Sequence, residues 1–143
     1  MISRQDIIAS ARDWLGTPFH HQASEKHTGC DCLGLLRGVW FDLYGHSVST
    51  ALVYDVSWMR HGKDLLLEAL QESLLRVRST EILPGHVLLF RWRPYWAASH
   101  LAIATSPDTI IHAQDGCGVC EVSLPISWRN VIAARFEFPD LRE

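Results

Sequence analysis

The chain has 143 residues and a formal net charge of −3, with 48% hydrophobic and 20% charged residues. This balance indicates one globular domain, residues 1–143, with a real core, and it excludes disorder. The net negative charge supplies no field that draws nucleic acid, and no apolar run approaches the roughly 20 residues of a membrane span, so neither nucleic-acid binding nor membrane insertion is expected.

The first segment, MISRQDIIAS, has polar residues where a signal peptide needs an apolar core. Synthesis in the cytoplasm, with reduced cysteines, is therefore expected. Ser3 and Asp6 have the spacing of a capping box. Ile7, Ile8, Ala11, Trp14 and Leu15 then share one helical face, and Gly16 and Pro18 stop the helix. Residues 17–29 read as a loop. A second helix is predicted from Cys32, with Cys32, Leu35, Leu36, Val39, Trp40 and Leu43 on one stripe and Gly45 at its end. Gly34 and Gly38 lie together on a neighbouring face of it. Each costs about 1 kcal/mol against alanine, and the expected return is close approach of another element, such as a sheet. A third helix is predicted from about Lys63 to Leu75, with Leu66, Leu67, Leu70 and Leu74 inward.

After Arg78 the pattern changes to strands. HVLLFRW, HLAIAT, TIIHAQ, VCEVSL and VIAARFEF are short, rich in branched and aromatic residues, and separated by turn signals such as SPD and DGCG. Helices first and strands second predict an α+β fold with an antiparallel sheet of about five strands.

Four cysteines raise the question of chemistry. Cys32 falls at a predicted helix start, where free N–H groups and the positive dipole end favour a thiolate nucleophile. It also suits the first core position of the stripe. His100 and His112 sit on two consecutive predicted strands joined by TSPD, and are candidates for a base and the group that orients it. Their even separation lets them share a face only if the hairpin loop holds an odd number of residues. Cys30, Cys32, Cys117 and Cys120 are also a potential structural zinc set, because CGVC has C-x2-C spacing. The residues alone leave these readings open. Arg91, Trp92, Arg93, Tyr95 and Trp96 interleave cations and rings, which suits a carboxylate-bearing ligand, a protein interface or single-stranded nucleic acid. The negative chain disfavours the last.

WLGTPFHHQ, GCDCLGLLRGVW, PGHVLLF, SHLAIA and IIHA occur in an order and spacing that resembles the NlpC family of papain-like cell-wall peptidases. More closely, the chain resembles the short form carried by phages and gene transfer agents. The resemblance spans Ala11 to about Leu124. It implies a papain-like core with the nucleophile helix packed on the sheet, Cys32 as nucleophile, His100 as general base and His112 as the polar third member. It implies hydrolysis of peptidoglycan stem peptides, typically between γ-D-glutamate and a diamino acid, with no metal and no cofactor. It places the Cys32 N–H, Phe19, His20, His21 and Asp31 around the oxyanion, where relatives often have Tyr at the position of Phe19. A phenylalanine has no hydroxyl to donate. Other departures are Leu33 for a usual Ser, His86 for a frequent Asp, and Cys30 for a small or apolar residue. Arg91, Trp92, Arg93 and Tyr95 are the candidates for substrate contact. The resemblance further implies a place in a phage-like particle, at a tail hub or tail tip, and action in the periplasm of a recipient cell. The competing expectation is a tail-tip component that keeps the fold with little or no catalysis.

Overall fold

The computed structural model describes residues 1–48 and 64–142. Helix α1 (Arg4–Arg12) begins with the predicted capping box: Ser3 Oγ accepts from the Asp6 N–H at 3.0 Å, and Asp6 accepts from the Ser3 N–H at 2.9 Å. Ile7, Ile8, Ala11 and Trp14 are buried as expected, but Leu15 is 36% exposed. The helix ends at Arg12, and the chain turns through residues 13–16 with Gly16 at φ +86°. That turn takes Leu15 off the helical face.

The predicted loop contains a small ribbon, β1 (Ser24–Glu25) paired with β2 (Gly29–Cys30). Helix α2 (Cys32–Tyr44) follows at the predicted place and ends at Gly45 in the left-handed region. Its stripe is buried from Cys32 through Leu35, Leu36, Val39 and Trp40, with Leu43 half-buried. Gly34 and Gly38 do admit close neighbours, but neither is the sheet. A Cβ on Gly34 would fall 1.8 Å from the Ala23 carbonyl oxygen, and one on Gly38 1.9 Å from the Trp14 ring.

Helix α3 (Leu65–Ser73) ends two residues before the predicted Leu75, and the expected start at Lys63 lies outside the described residues. Its inward leucines are as read, with Leu67 only partly covered. Leu75, expected to close that helix, instead begins β3 (Leu75–Val77). The remaining strands are β4 (Val87–Phe90), β5 (His100–Ser106), β6 (Thr109–Gln114), β7 (Gly118–Ser123) and β8 (Ile132–Glu137). A short helix, α4 (Ile126–Arg129), precedes β8 and has no counterpart in the sequence reading.

The main sheet has six strands rather than about five, in the order β3-β8-β4-β5-β6-β7, all antiparallel. Strand alternation divides its side chains between two cores. Val87, Leu89, Leu101, Ile103, Ile111 and Ala113 face the helices. Leu88, Phe90, Ala102, Ala104 and Ile110 face the other way, under Trp92, Trp128 and Leu124. Each fully buried aliphatic or aromatic side chain contributes roughly 1.5–3 kcal/mol, so both faces hold the sheet. Among the described residues no helix is long and apolar enough to cross a membrane.

Candidate active site

Asp31 organises the approach to Cys32. It is the N-cap of α2, and its Oδ1 accepts from the Gly34 N–H at 2.8 Å. Its Oδ2 accepts from the Gln22 N–H at 2.8 Å, so one carboxylate ties the helix start to the preceding loop. An N-cap of this kind is worth about 1 kcal/mol. Ser24 Oγ also donates to the Gly34 carbonyl at 2.7 Å, and the Cys30 N–H donates to the Pro18 carbonyl at 3.0 Å. Cys32 emerges from this clamp 8% exposed.

The helix-start argument predicts a thiolate, and burial reverses it. Desolvation, followed by the Asp31 charge, pushes the Cys32 thiol up to about 12. The backbone N–H groups of Leu101, Leu33 and Cys32 itself pull the other way and do not win. Cys32 in the closed site is therefore a neutral thiol at neutral pH. Cys30 is fully buried and is also pushed up to about 12 by burial, then by Asp31. It is a packing residue.

His100 and His112 meet. His100 Nε2 lies 2.9 Å from His112 Nδ1, with the rings at 80°. The hairpin achieves this through an irregularity. Its connecting loop, Pro107 and Asp108, holds two residues, which alone would turn the two side chains to opposite faces. The register shifts by one between Ala104 and Ser106, so Thr105 is the extra residue of a bulge. The pairing then runs Ile103 with Ile111 and Ala104 with Ile110. His112 therefore falls opposite Ala102, on the face that His100 shares. Hydroxyl contacts at the bulge, Thr105–Thr109 at 2.6 Å and Ser106–Thr109 at 2.7 Å, fix it.

The pair is packed in rings. Trp92 stacks on His100 at 5.8 Å, and Trp128 stands edge-on to His100 at 5.8 Å and to His112 at 5.5 Å. Burial, and then the neighbouring His112, lowers His100 to about 3. Burial also lowers His112, whose Nε2 is buried without a partner. Both rings are neutral at neutral pH. Trp128 is a contact that the sequence reading missed. It sits on a four-residue helix with no periodicity to announce it.

Among the described residues no hydrogen bond joins Cys32 to either ring. Helix α2, which Cys32 opens, packs against β5 and β6, the strands that carry His100 and His112. Of the expected oxyanion neighbours, Phe19 is partly buried against the helical core and bridges Cys30 through the backbone. His21 Nδ1 lies 3.9 Å from Asp31 Oδ2, and His20 Nδ1 lies 3.3 Å from the His21 carbonyl oxygen.

The aromatic and arginine stretch divides. Trp92 belongs to the histidine pocket. Arg91 is engaged by the fold: it pairs with Asp64 at 2.7 Å and donates to the Trp96 carbonyl at 2.7 Å. Asp64 also accepts from the Ala98 N–H at 2.7 Å, holding the start of α3 against this loop. Arg93 covers the Trp96 ring at 5.1 Å, and Tyr95 is 96% exposed. All four cysteines are free thiols, with Cys117 exposed at the β6–β7 turn. Among the described residues no group of three or more His, Cys, Asp and Glu is placed to hold a metal ion.

Helices packed on an antiparallel sheet, with a cysteine opening one helix and a bonded histidine pair on two neighbouring strands, form a papain-like α+β architecture. Solved structures similar to it in fold include NlpC/p60 domains. The chain resembles the NlpC/p60 domain of the peptidoglycan hydrolase SagA at 21% identity and a TM-score of 0.68, covering 96% of this chain and 100% of that one. It resembles an NlpC/P60 family protein from Bacillus cereus at 15% identity and a TM-score of 0.70, covering 96% of this chain and 40% of that one. A lipoprotein-like member of the NLP/P60 family from Staphylococcus aureus matches at 20% identity and a TM-score of 0.62, covering 98% and 42%. No protein-family model matches the chain, and no curated protein matches it in sequence. The fold is that of NlpC/p60 domains.

Proposed function

We propose that the chain is a cysteine endopeptidase of the NlpC/p60 kind that hydrolyses peptidoglycan stem peptides, at the bond between γ-D-glutamate and a diamino acid. What supports this reading is the bonded His100–His112 pair on β5 and β6, the two strands against which α2, opened by Cys32, packs. The SagA domain, a peptidoglycan hydrolase, has the same fold.

The site starts from a neutral thiol and a neutral imidazole. His100 takes the Cys32 proton as the sulfur attacks the scissile carbonyl, and His112 holds the resulting imidazolium through the 2.9 Å bond. The negative oxygen faces the N–H groups at the start of α2. His100 then passes its proton to the departing amine. Water, deprotonated by His100, hydrolyses the thioester and returns the thiol. Trp92 and Trp128 keep bulk water from the rings.

The test is incubation with purified peptidoglycan and mass analysis of the soluble products. Wild type is expected to release stem-peptide fragments cut at that bond, and Cys32→Ser to lower the rate by about a thousandfold or more. Absence of wild-type cleavage where a related enzyme cleaves sinks the reading.

A second reading is favoured by two specific observations: the raised Cys32 thiol and the absence of a hydroxyl at Phe19. It is a structural tail component with the fold and no catalysis. Under it, Cys32 alkylates at neutral pH no faster than an ordinary thiol, with or without stem peptide. Carriage in a phage-like tail, with a hub or tail-tip protein as partner and action in a recipient's periplasm, rests on the sequence resemblance. Recovery of the chain in purified particles tests it.

A further inference from the structure

Among the described residues five buried side-chain atoms have no hydrogen-bond partner: Trp40 Nε1, Ser73 Oγ, Ser99 Oγ, His112 Nε2 and Arg135 Nε. Two of these residues flank the proposed base. His112 is bonded to His100, and Ser99 precedes it in the chain. Ser99 is 8% exposed, the same as Cys32. A buried hydroxyl without a partner costs stability, because water served its donor and its acceptor in the unfolded chain. The mechanism above makes no use of this hydroxyl. A substrate that brings the missing partner offsets the cost on binding, and one that lacks it is rejected.

The backbone sets Ser99 beside His100. The Ser99 N–H donates to the Phe90 carbonyl at 3.1 Å, and Phe90 is the residue paired with His100 in the sheet register. Two successive residues thus oppose one, the pattern of a β-bulge, which re-aims side chains. Ala98 before them and Leu101 after them both belong to the helix-side core. Ser99 and His100 are therefore turned together to the other face, where the His100 ring lies against Phe90 and Trp92. Asp64 fixes the approach by accepting from the Ala98 N–H at 2.7 Å. The hydroxyl is placed by the sheet and by this clamp, not by a free loop.

In the proposed reaction His100 passes its proton to the departing amine, so the side chain next to it meets the amine side of the cut. We propose that Ser99 is a substrate contact, its hydroxyl donating to a carbonyl or carboxylate oxygen of the residue that leaves, the diamino acid of the stem. This rests on the hydrolysis proposed above and adds a specificity element to it. The contact is made before and during the chemistry alike, so it acts on KM and leaves kcat to Cys32 and the histidines.

The test uses the full chain and two soluble stem peptides. One ends in the diamino acid, and the other carries the matching diamine, which lacks the acceptor. Wild type is expected to favour the first by at least about tenfold in kcat/KM, the worth of one hydrogen bond. Ser99→Ala is expected to raise KM for the first peptide about tenfold, with kcat and its pH profile unchanged, and to cut the preference between the two by the same factor. Its urea midpoint is expected to be no lower than that of wild type, since no bond of the fold is lost. A lower midpoint overturns the inference, because the hydroxyl then serves the fold. A fall in kcat or a shifted pH profile at unchanged KM also overturns it, in favour of an action on His100. So does a variant that keeps the wild-type preference. Absence of cleavage by wild type overturns the peptidase reading and this contact with it, whereas cleavage by wild type and Ser99→Ala alike overturns the contact alone.

Discussion

Asp31 does two jobs whose consequences oppose each other. It caps α2 and anchors the Gln22 turn, and its charge helps hold the Cys32 proton in place. Asp31→Asn retains an acceptor for Gly34, removes the charge and turns an NH2 toward the Gln22 N–H. The expected result is a lower thiol pKa, read as alkylation at lower pH, with stability reduced by about 1 kcal/mol from the lost bond. An unchanged alkylation profile would show that burial alone sets the thiol. Trp128 acts at the same scale. Trp128→Ala opens the box over His100 and His112, hydrates both rings and raises their pKa values. Titration of the two imidazoles by NMR, moving toward the ordinary value of 6.5, checks this.

At the level of elements, α2 is fitted to its neighbours at two glycines. Gly34→Ala drives a methyl into the Ala23 carbonyl, whose oxygen also accepts from the Asp31 N–H at 3.3 Å. Gly38→Ala drives one into Trp14, whose indole is held by its N–H bond to Asp42 at 3.1 Å. Overpacking of this kind costs typically 1–3 kcal/mol. Both variants should unfold at lower denaturant. Gly34→Ala should also lose hydrolysis out of proportion, because the displaced loop is the one that clamps Cys32. Equal activity loss per unit of stability in the two would remove that distinction. The sequence showed two glycines on one helical face and the need for a close neighbour. It did not show which neighbour, since nothing local brings residue 14 or residue 23 to residues 38 and 34.

For the whole molecule, the buried neutral histidines predict an acid dependence of stability. His86, His100 and His112 are all lowered by burial, His100 to about 3, from an ordinary 6.5. Below 6.5 the unfolded chain takes up protons that the native state refuses, so stability is full above 6.5 and falls as pH drops toward the folded values. Asp6 and Glu121 are lowered instead, by hydrogen bonds from Ser3 and Arg12, and they add to the loss only below their ordinary 3.8 and 4.5. The interval between 6.5 and 4.5 therefore reports the histidines. The urea midpoint should decline steadily across it, and a flat midpoint there would mean that the rings are hydrated.

What the sequence determined by itself is the inventory. Local rules sufficed for the capping box at Ser3, the start of α2 at Cys32, its stop at Gly45 and the positions of the strands after Arg78, because each rests on contacts within a few residues. They made Cys32, His100 and His112 candidates among other readings, and the family resemblance assigned them roles. They failed where distant parts decide. Leu75 left its predicted helix to extend the sheet beside β8, which lies some sixty residues later in the chain. Arg91, a candidate ligand for substrate, was taken by Asp64. The thiolate expected at a helix start became a thiol, because burial by the rest of the fold outweighs three N–H groups. The histidine pair depended on a single extra residue, Thr105. A two-residue loop sends the two rings to opposite faces, and only the bulge, held by hydroxyl contacts between strands, returns them to one. The period of a strand is two, so one residue of register separates a bonded pair of imidazoles from two unrelated ones, and register belongs to the assembled sheet.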